Sequence, residues 1–398
     1  MNSKLNVVII PFHDYKKWIN EGFRTRDAHL MEHFSQNKKV GKILVVNRPT
    51  SFAELILQKK SWKVDKRLRV EYASHGVCLS QMSENVWCLD ILCKDILKVI
   101  VQRKTWWFTS FNYHRVIKSI NEAIKYLHME DNSLLLQNPM AIGAAKGVIT
   151  EHFVFDAIDN WLYHPQMRDK ELIKKNYNFV DSHAELITTV SEALTNTFPF
   201  NSNVHWIPNG VDRNYFSTAI NLLPISKITV GYVGKIQDRV DFDLVEECLN
   251  KYPNILFKFL GPVYSQKEII KELDKKYSNI KFVGDVHYSR LPEEMKDMNI
   301  AIIPHKVDFF TSSMNPLKLY EYLAAGKPVV STKVAGIDNI SDFVFSASRE
   351  NYLEVLGNVI KKVINGEINQ KSVAESLPYE CSWKKRSEDF VSFLLELK

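Results

Sequence analysis

Lys318 and Glu321 stand three residues apart in the run N-P-L-K-L-Y-E-Y-L-A-A-G-K-P-V-V-S-T, residues 315–332. That spacing places both on one side of a helix. A helix start offers N–H groups and partial positive charge to a phosphate, and a carboxylate further along can accept a pair of sugar hydroxyls. The competing reading is a surface i,i+3 salt bridge. Lys235 and Arg239, in G-K-I-Q-D-R, add two cations after an apolar run, and together with Lys318 they suit a diphosphate. Asp156 and Asp159 follow another apolar run, where they either do chemistry or cap a helix. A D-x-x-D pair alone is a weak metal signal. Arg24, Arg26 and His29 form a third group, which either grips an anion or belongs to a solvated basic loop.

Strands alternating with helices must position these residues. In the first half, residues 7–11, 42–46, 133–136, 147–155, 186–190 and 204–207 read as strands. Residues 13–26 read as a loop, and residues 25–35 and 167–182 as helices. There is no G-x-G-x-x-G, which argues against a dinucleotide. In the second half, strands are expected at 228–233, 255–260, 280–283, 300–303, 329–331 and 343–345, with helices between them. Pro316 suits a helix start, and Gly326 with Pro328 ends that helix. Gly234, Gly261 and Gly284 each close a strand, which lets backbone approach a ligand. The fold class is therefore α/β, with two doubly wound Rossmann-like domains. The expected boundaries are 1–215, 226–381 and a last helix 382–398, with residues 217–226 as linker.

A length of 398 residues suits two domains, and 45% hydrophobic content is ample for two cores. The net charge of +6 fits an anionic ligand or membrane surface but is too small to imply nucleic acid. Five scattered cysteines with no C-x-x-C argue against a disulfide framework and structural zinc, and fit a reducing cytosol. The first residues read as a strand and not a signal peptide, and no apolar run is long enough to span a membrane. Residues 59–69 and 103–108 mix cations with tryptophan. That composition suits an interfacial membrane contact, a snorkelling helix edge or a buried aromatic cluster, while stacking on single-stranded nucleic acid lacks a recognised module.

The runs Gly-Tyr-Val-Gly-Lys-Ile, Phe-Leu-Gly-Pro and Phe-Val-Gly-Asp-Val resemble, together with 315–330, the donor domain of a GT-B glycosyltransferase. The nearest group is the retaining, family-4-like bacterial enzymes of surface polysaccharide and teichuronic acid synthesis. The likeness is strong over 228–340 and weaker at 24–30, 155–161, 208–212 and the start of the last helix. It implies that Glu321 binds the nucleotide ribose, that Leu317 and Lys318 meet the diphosphate through their amides, and that Asp285 and Val286 meet the base. Gly234, Lys235, Asn315 and Pro316 complete the implied donor site. Arg239, Lys318, Asp156 and Asp159 form the catalytic group, and Arg24, Arg26 and His29 take the acceptor. Three departures stand out: Ser313 replaces the first glutamate of the family's motif, Phe155-Asp156 replaces a His-Asp pair, and residues 24–27 replace a glycine-rich loop.

The resemblance implies sugar transfer from a nucleotide-diphosphate sugar, expected to be a UDP-sugar, to a glycan or lipid-linked glycan with retention. It calls for no cofactor and no metal, since lysine and arginine supply the countercharge. A cytoplasmic location, peripheral at the inner membrane face, follows. Two alternatives stay open: a sugar-nucleotide epimerase of the same architecture, and a non-catalytic nucleotide-sugar-binding partner in polysaccharide assembly.

Overall fold

A computed structural model describes residues 4–58, 61–64, 69–94, 99–101, 106–164, 167, 169–224 and 227–398. The basic stretches read for membrane contact lie partly outside these residues. The chain forms two compact units, Met1–Ile207 with Ser387–Lys398, and Pro208–Arg386.

The first unit contains β1 (Leu5–Ile10), β2 (Val40–Val46), β3 (Thr50–Ser51), β4 (Arg69–Ser74), β5 (Val77–Ser83), β6 (Val86–Cys93), β7 (Asn132–Leu136), β8 (His152–Ala157), β9 (Leu186–Thr189) and β10 (Val204–Trp206). They join in the order β10-β9-β8-β7-β1-β2-β6-β5-β4, with β3 on β6. From β10 to β6 the sheet is parallel, and its central strands are apolar runs because helices cover both faces. The β4–β5–β6 segment is antiparallel and has no counterpart in the strands expected from sequence. Its β4–β5 turn is His75-Gly76, both at positive φ, the geometry a two-residue hairpin needs. Residues 13–26, expected as a loop, contain the helix Tyr15–Glu21. Asp14 caps it, and Gly22 at φ 81° ends it.

The second unit contains β11 (Thr229–Val233), β12 (Leu256–Leu260), β13 (Ile280–Gly284), β14 (Ile300–Ile303), β15 (Val329–Thr332) and β16 (Val344–Ala347). Their order is β13-β12-β11-β14-β15-β16, parallel throughout. Winding starts at β11, proceeds outward to β13, and then returns to the other side of β11. This leaves a crevice beyond the carboxyl ends of β11 and β14. The helix Leu317–Ala324 packs beside that crevice and is buried all round, from Lys318 to Ala324. It is not the exposed amphipathic helix that a surface salt bridge would need.

The chain enters the second unit earlier than the 217–226 segment read as linker. Asn209 already bonds Asn315, Val211 bridges to Ser382, and Phe216 and Ala219 belong to the second core. The helix Trp383–Glu396 begins in the second unit and ends in the first. There Phe390, fully buried, meets Phe34 with ring centres 5.4 Å apart.

Candidate functional site

The crevice of the second unit is built on glycine. Gly234 follows β11 at φ 136° and donates its N–H to the Leu260 carbonyl at 2.8 Å. Gly261, at φ 143°, lies against it so closely that a Cβ there would fall 2.0 Å from the Gly234 oxygen. A Cβ on Gly234 itself would fall 2.9 Å from the Lys318 Nζ. The missing side chains therefore make the room that Lys318 occupies.

Lys318 is 8% exposed. Its Nζ donates to the Tyr232 hydroxyl at 2.8 Å, lies 3.5 Å from the His305 Nε2, and sits 4.0 Å from the centre of the Tyr232 ring. Arg239 reaches the same hydroxyl, and its own Nε is buried with no hydrogen-bond partner. Among the described residues no carboxylate lies within ion-pair distance of Lys318 or Arg239. Burial, and then Arg239, push the Lys318 pKa well below the lysine range, against the pull of Glu321. Burial, Lys318 and Arg239 likewise keep His305 neutral, and burial lifts Tyr232 to about 12. The cluster has positive character without countercharge, which is what an incoming phosphate supplies.

One turn on, Glu321 is buried and faced by Tyr288. Burial and the Glu321 charge push that phenol well above its ordinary pKa. Tyr215 stacks on Tyr288 with centroids 5.4 Å apart. Leu317 opens the helix after Pro316, and no side chain caps it. Lys235 is half-buried with its Nζ 5.8 Å above the Tyr264 ring, Asp285 is exposed after β13, and Val286 packs on the core.

Asn315 is committed to the fold. Its Oδ1 accepts from the Asn209 N–H at 2.9 Å, its carbonyl accepts from the Asn209 Nδ2 at 2.7 Å, and its Nδ2 donates to Tyr320 at 2.9 Å. Both side-chain atoms are thus bonded inside the unit, so Asn315 holds the turn before the helix in place. The Ser313 hydroxyl donates to the Phe309 and Phe310 carbonyls, both at 3.2 Å. Sequence reasoning missed Tyr232, His305, Tyr215 and Tyr288. The available signal was that a buried tyrosine or histidine needs a partner for its polar tip.

In the first unit the structure joins Arg26 to Asp156 and gives Arg24, His29 and Asp159 other surroundings. Asp156 is fully buried and accepts four hydrogen bonds: from Arg26 Nε at 3.0 Å and Nη2 at 2.9 Å, Gln137 Nε2 at 2.9 Å and Thr188 Oγ1 at 2.7 Å. A carboxylate offers about four lone-pair positions, so these four bonds use the acceptor capacity that a catalytic role for Asp156 would draw on. Asp159 is half-buried, and its carbonyl accepts from the Tyr177 hydroxyl at 3.2 Å. Arg26 is thereby taken up by Asp156, while Arg24 pairs with Glu21 at 2.9 Å. His29 is buried and its pKa falls to about 3, mainly through burial. An opening among the described residues of this unit lies elsewhere, a cavity of about 740 Å³ lined by Phe12, Lys16, Arg48, Thr50, Lys63 and Trp107 among others. Its walls follow β1 and β2.

Among the described residues no group of three or more His, Cys, Asp or Glu side chains is placed to hold a metal, and no helix is long and apolar enough to cross a membrane.

Residues 227–355 match the family model of glycosyl transferases group 1. A stretch of 137 residues, 33% of the chain, is 30% identical to TuaH of Bacillus subtilis (strain 168), whose description as a teichuronic acid biosynthesis glycosyltransferase is itself provisional. That match spans 34% of TuaH's length, about a third of the relative. Among solved structures, sucrose-phosphate synthase from Thermosynechococcus elongatus is similar with a TM-score of 0.69 at 12% identity, covering 99% of each chain. The catalytic domain of starch synthase IV from Arabidopsis thaliana, bound to ADP and acarbose, gives 0.69 at 13% identity with 99% of each chain covered. The E. coli trehalose-6-phosphate protein bound with UDP-2-fluoro glucose gives 0.64 at 12%, with 98% of each covered. At such identities the likeness establishes the fold, which is GT-B.

Proposed function

We propose that this GT-B chain, whose residues 227–355 match the model of glycosyl transferases group 1, moves a sugar from a nucleoside diphosphate, UDP in the first instance, to a hydroxyl of a surface polysaccharide or lipid-linked glycan. The observation that carries this reading is the meeting of Lys318 and Arg239 at the Tyr232 hydroxyl with no carboxylate to neutralise them. In the reaction the bond from the anomeric carbon to the diphosphate oxygen breaks, and its electron pair leaves with the phosphate. Lys318, Arg239 and the first-turn amides of the helix at Leu317 stabilise that charge, often the largest single catalytic contribution. The acceptor oxygen bonds to the anomeric carbon and passes its proton to the departing phosphate, with retention. Glu321 holds the ribose hydroxyls.

The acceptor belongs at the cavity of about 740 Å³, where Phe12 and Trp107 offer faces for a sugar ring. A lipid-linked acceptor would bring the chain to a membrane surface. Phe52 and Ile56, one turn apart and exposed on the helix Phe52–Gln58, supply apolar contact for that.

The test is a thermal-shift panel of UDP-, ADP- and GDP-sugars, followed by product analysis of the best binder with a glycan acceptor. Stabilisation by a nucleotide sugar and transfer of its sugar are expected. Stabilisation by none of them would refute the donor site, and binding without transfer would refute the reaction.

A further inference from the structure

Lys318 and Arg239 approach one hydroxyl in a largely buried place with no carboxylate between them. Two like charges there repel each other and are poorly solvated. Arginine cannot relieve this by losing its proton, whereas a buried lysine can. The groups facing Lys318 do little to hold a charge on it. Tyr232 comes from β11, and its phenol is neutral and donates to the Lys235 carbonyl at 3.1 Å. Arg239, from the loop after β11, adds positive charge. His305, from the loop after β14, is neutral. On its own helix, Glu321 pulls the other way from outside ion-pair distance, and Tyr322 turns its hydroxyl to the Val233 backbone. The Tyr232 ring face at 4.0 Å favours an ammonium but carries no net charge.

Resting on the donor-site reading above, we propose that this site takes up a proton together with its diphosphate: Lys318 is a neutral amine in the free protein and becomes an ammonium when phosphate oxygens arrive. The proton comes from solvent, forms an N–H bond on the lysine amine, and leaves with the nucleotide. The free protein thereby avoids a second unpaired cation, and the charge is present only when a phosphate neutralises it. Tyr232 and His305 act as positioning residues, fixing the Nζ without supplying a countercharge. The sign follows from linkage. A group that binds a proton more tightly in the complex than in the free protein makes affinity fall as pH rises between its two pKa values, by about tenfold per pH unit for one proton.

Calorimetry of UDP binding at pH 8 decides this, using two buffers of different ionisation enthalpy. At that pH the second phosphate ionisation, near pH ~6, is complete, so the nucleotide contributes little uptake of its own. The expected result is about one proton taken up per UDP bound. Lys318→Arg, charged at all accessible pH, is expected to bind UDP with no uptake, whereas His305→Gln retains the uptake. Binding by the wild type with no proton uptake would overturn the proposal while leaving the donor site standing. Uptake that survives Lys318→Arg but vanishes in His305→Gln would overturn it too, by moving the proton to the imidazole. Failure of UDP, ADP and GDP alike to bind would overturn the donor site and this inference together.

Discussion

Lys258 and Lys318 are both buried in the second unit, yet only Lys258 meets a carboxylate, Asp297 at 2.9 Å. Lys327, a third buried lysine, donates to the Ala219 carbonyl and to Gln370 at 3.1 and 3.0 Å. The fold thus satisfies its structural lysines from within and gives Lys318 only a phenol and an imidazole. Glu321 is buried beside the crevice with Tyr288 and Tyr215 as neighbours. Glu321→Ala should weaken UDP binding by more than about tenfold, since a buried charged acceptor of hydroxyls contributes about 1.5–3 kcal/mol. Unchanged affinity by calorimetry would sink the ribose assignment. Asp156 is the contrasting case, a carboxylate used up by the fold. Removing one partner of a buried pair costs about 3–5 kcal/mol. Asp156→Ala should therefore lower the unfolding midpoint sharply, and loss of turnover in a variant of unaltered stability would return the residue to the chemistry.

The helix Leu317–Ala324 is short, and its position comes from both ends. Asn315 and Asn209 tie its start to the Pro208–Asn209–Gly210 turn, and the Tyr322 hydroxyl bonds the Val233 backbone at 2.6 Å. Its second turn is thus held against the end of β11. The strand-end glycines set the spacing on the other side. Gly261→Ala would drive a Cβ into the Gly234 carbonyl and force a φ of 143° on an L-residue. We expect it to displace the loop carrying Lys235 and Arg239 and to lose UDP affinity, with Tm falling by several degrees. Wild-type affinity and Tm for this variant would show that the loop geometry does not depend on that contact.

The chain passes from one compact unit to the other at Ile207–Pro208 and back within the helix Trp383–Glu396. The last turns of that helix belong to the first unit, where Phe390 packs on Phe34 and Phe393 stacks on His205 at 3.9 Å. Phe390→Ala should destabilise the first unit by about 3–5 kcal/mol, a buried aromatic truncation. Nucleotide affinity, which the proposed donor site places in the second unit, should stay within about twofold. Faster proteolysis of residues 4–207 with unchanged UDP binding is the expected pattern, and a parallel loss of both would contradict the independence of the units.

In the second unit, residues 228–364 alternate short apolar runs with amphipathic segments, and a buried parallel strand is written as a continuous apolar run. The strand positions, the glycine strand ends and the helix start at Pro316 were therefore legible without coordinates. The β4–β6 hairpin was not, because its strands mix polar and apolar residues and its His75-Gly76 turn is an unusual one. Side-chain pairing between distant segments was hidden altogether. Nothing local distinguishes Asp156, with four donors from three other elements, from Glu321 beside a crevice. Nor does the sequence show that Lys318 would lie between Tyr232 and His305, residues 86 and 13 positions away. Local pattern determined the α/β class and which residues carry charge at strand ends. Tertiary packing alone decided which of those charges meet an opposite charge inside the fold and which, like Lys318, do not, because burial and pairing are set by contacts across the sheet.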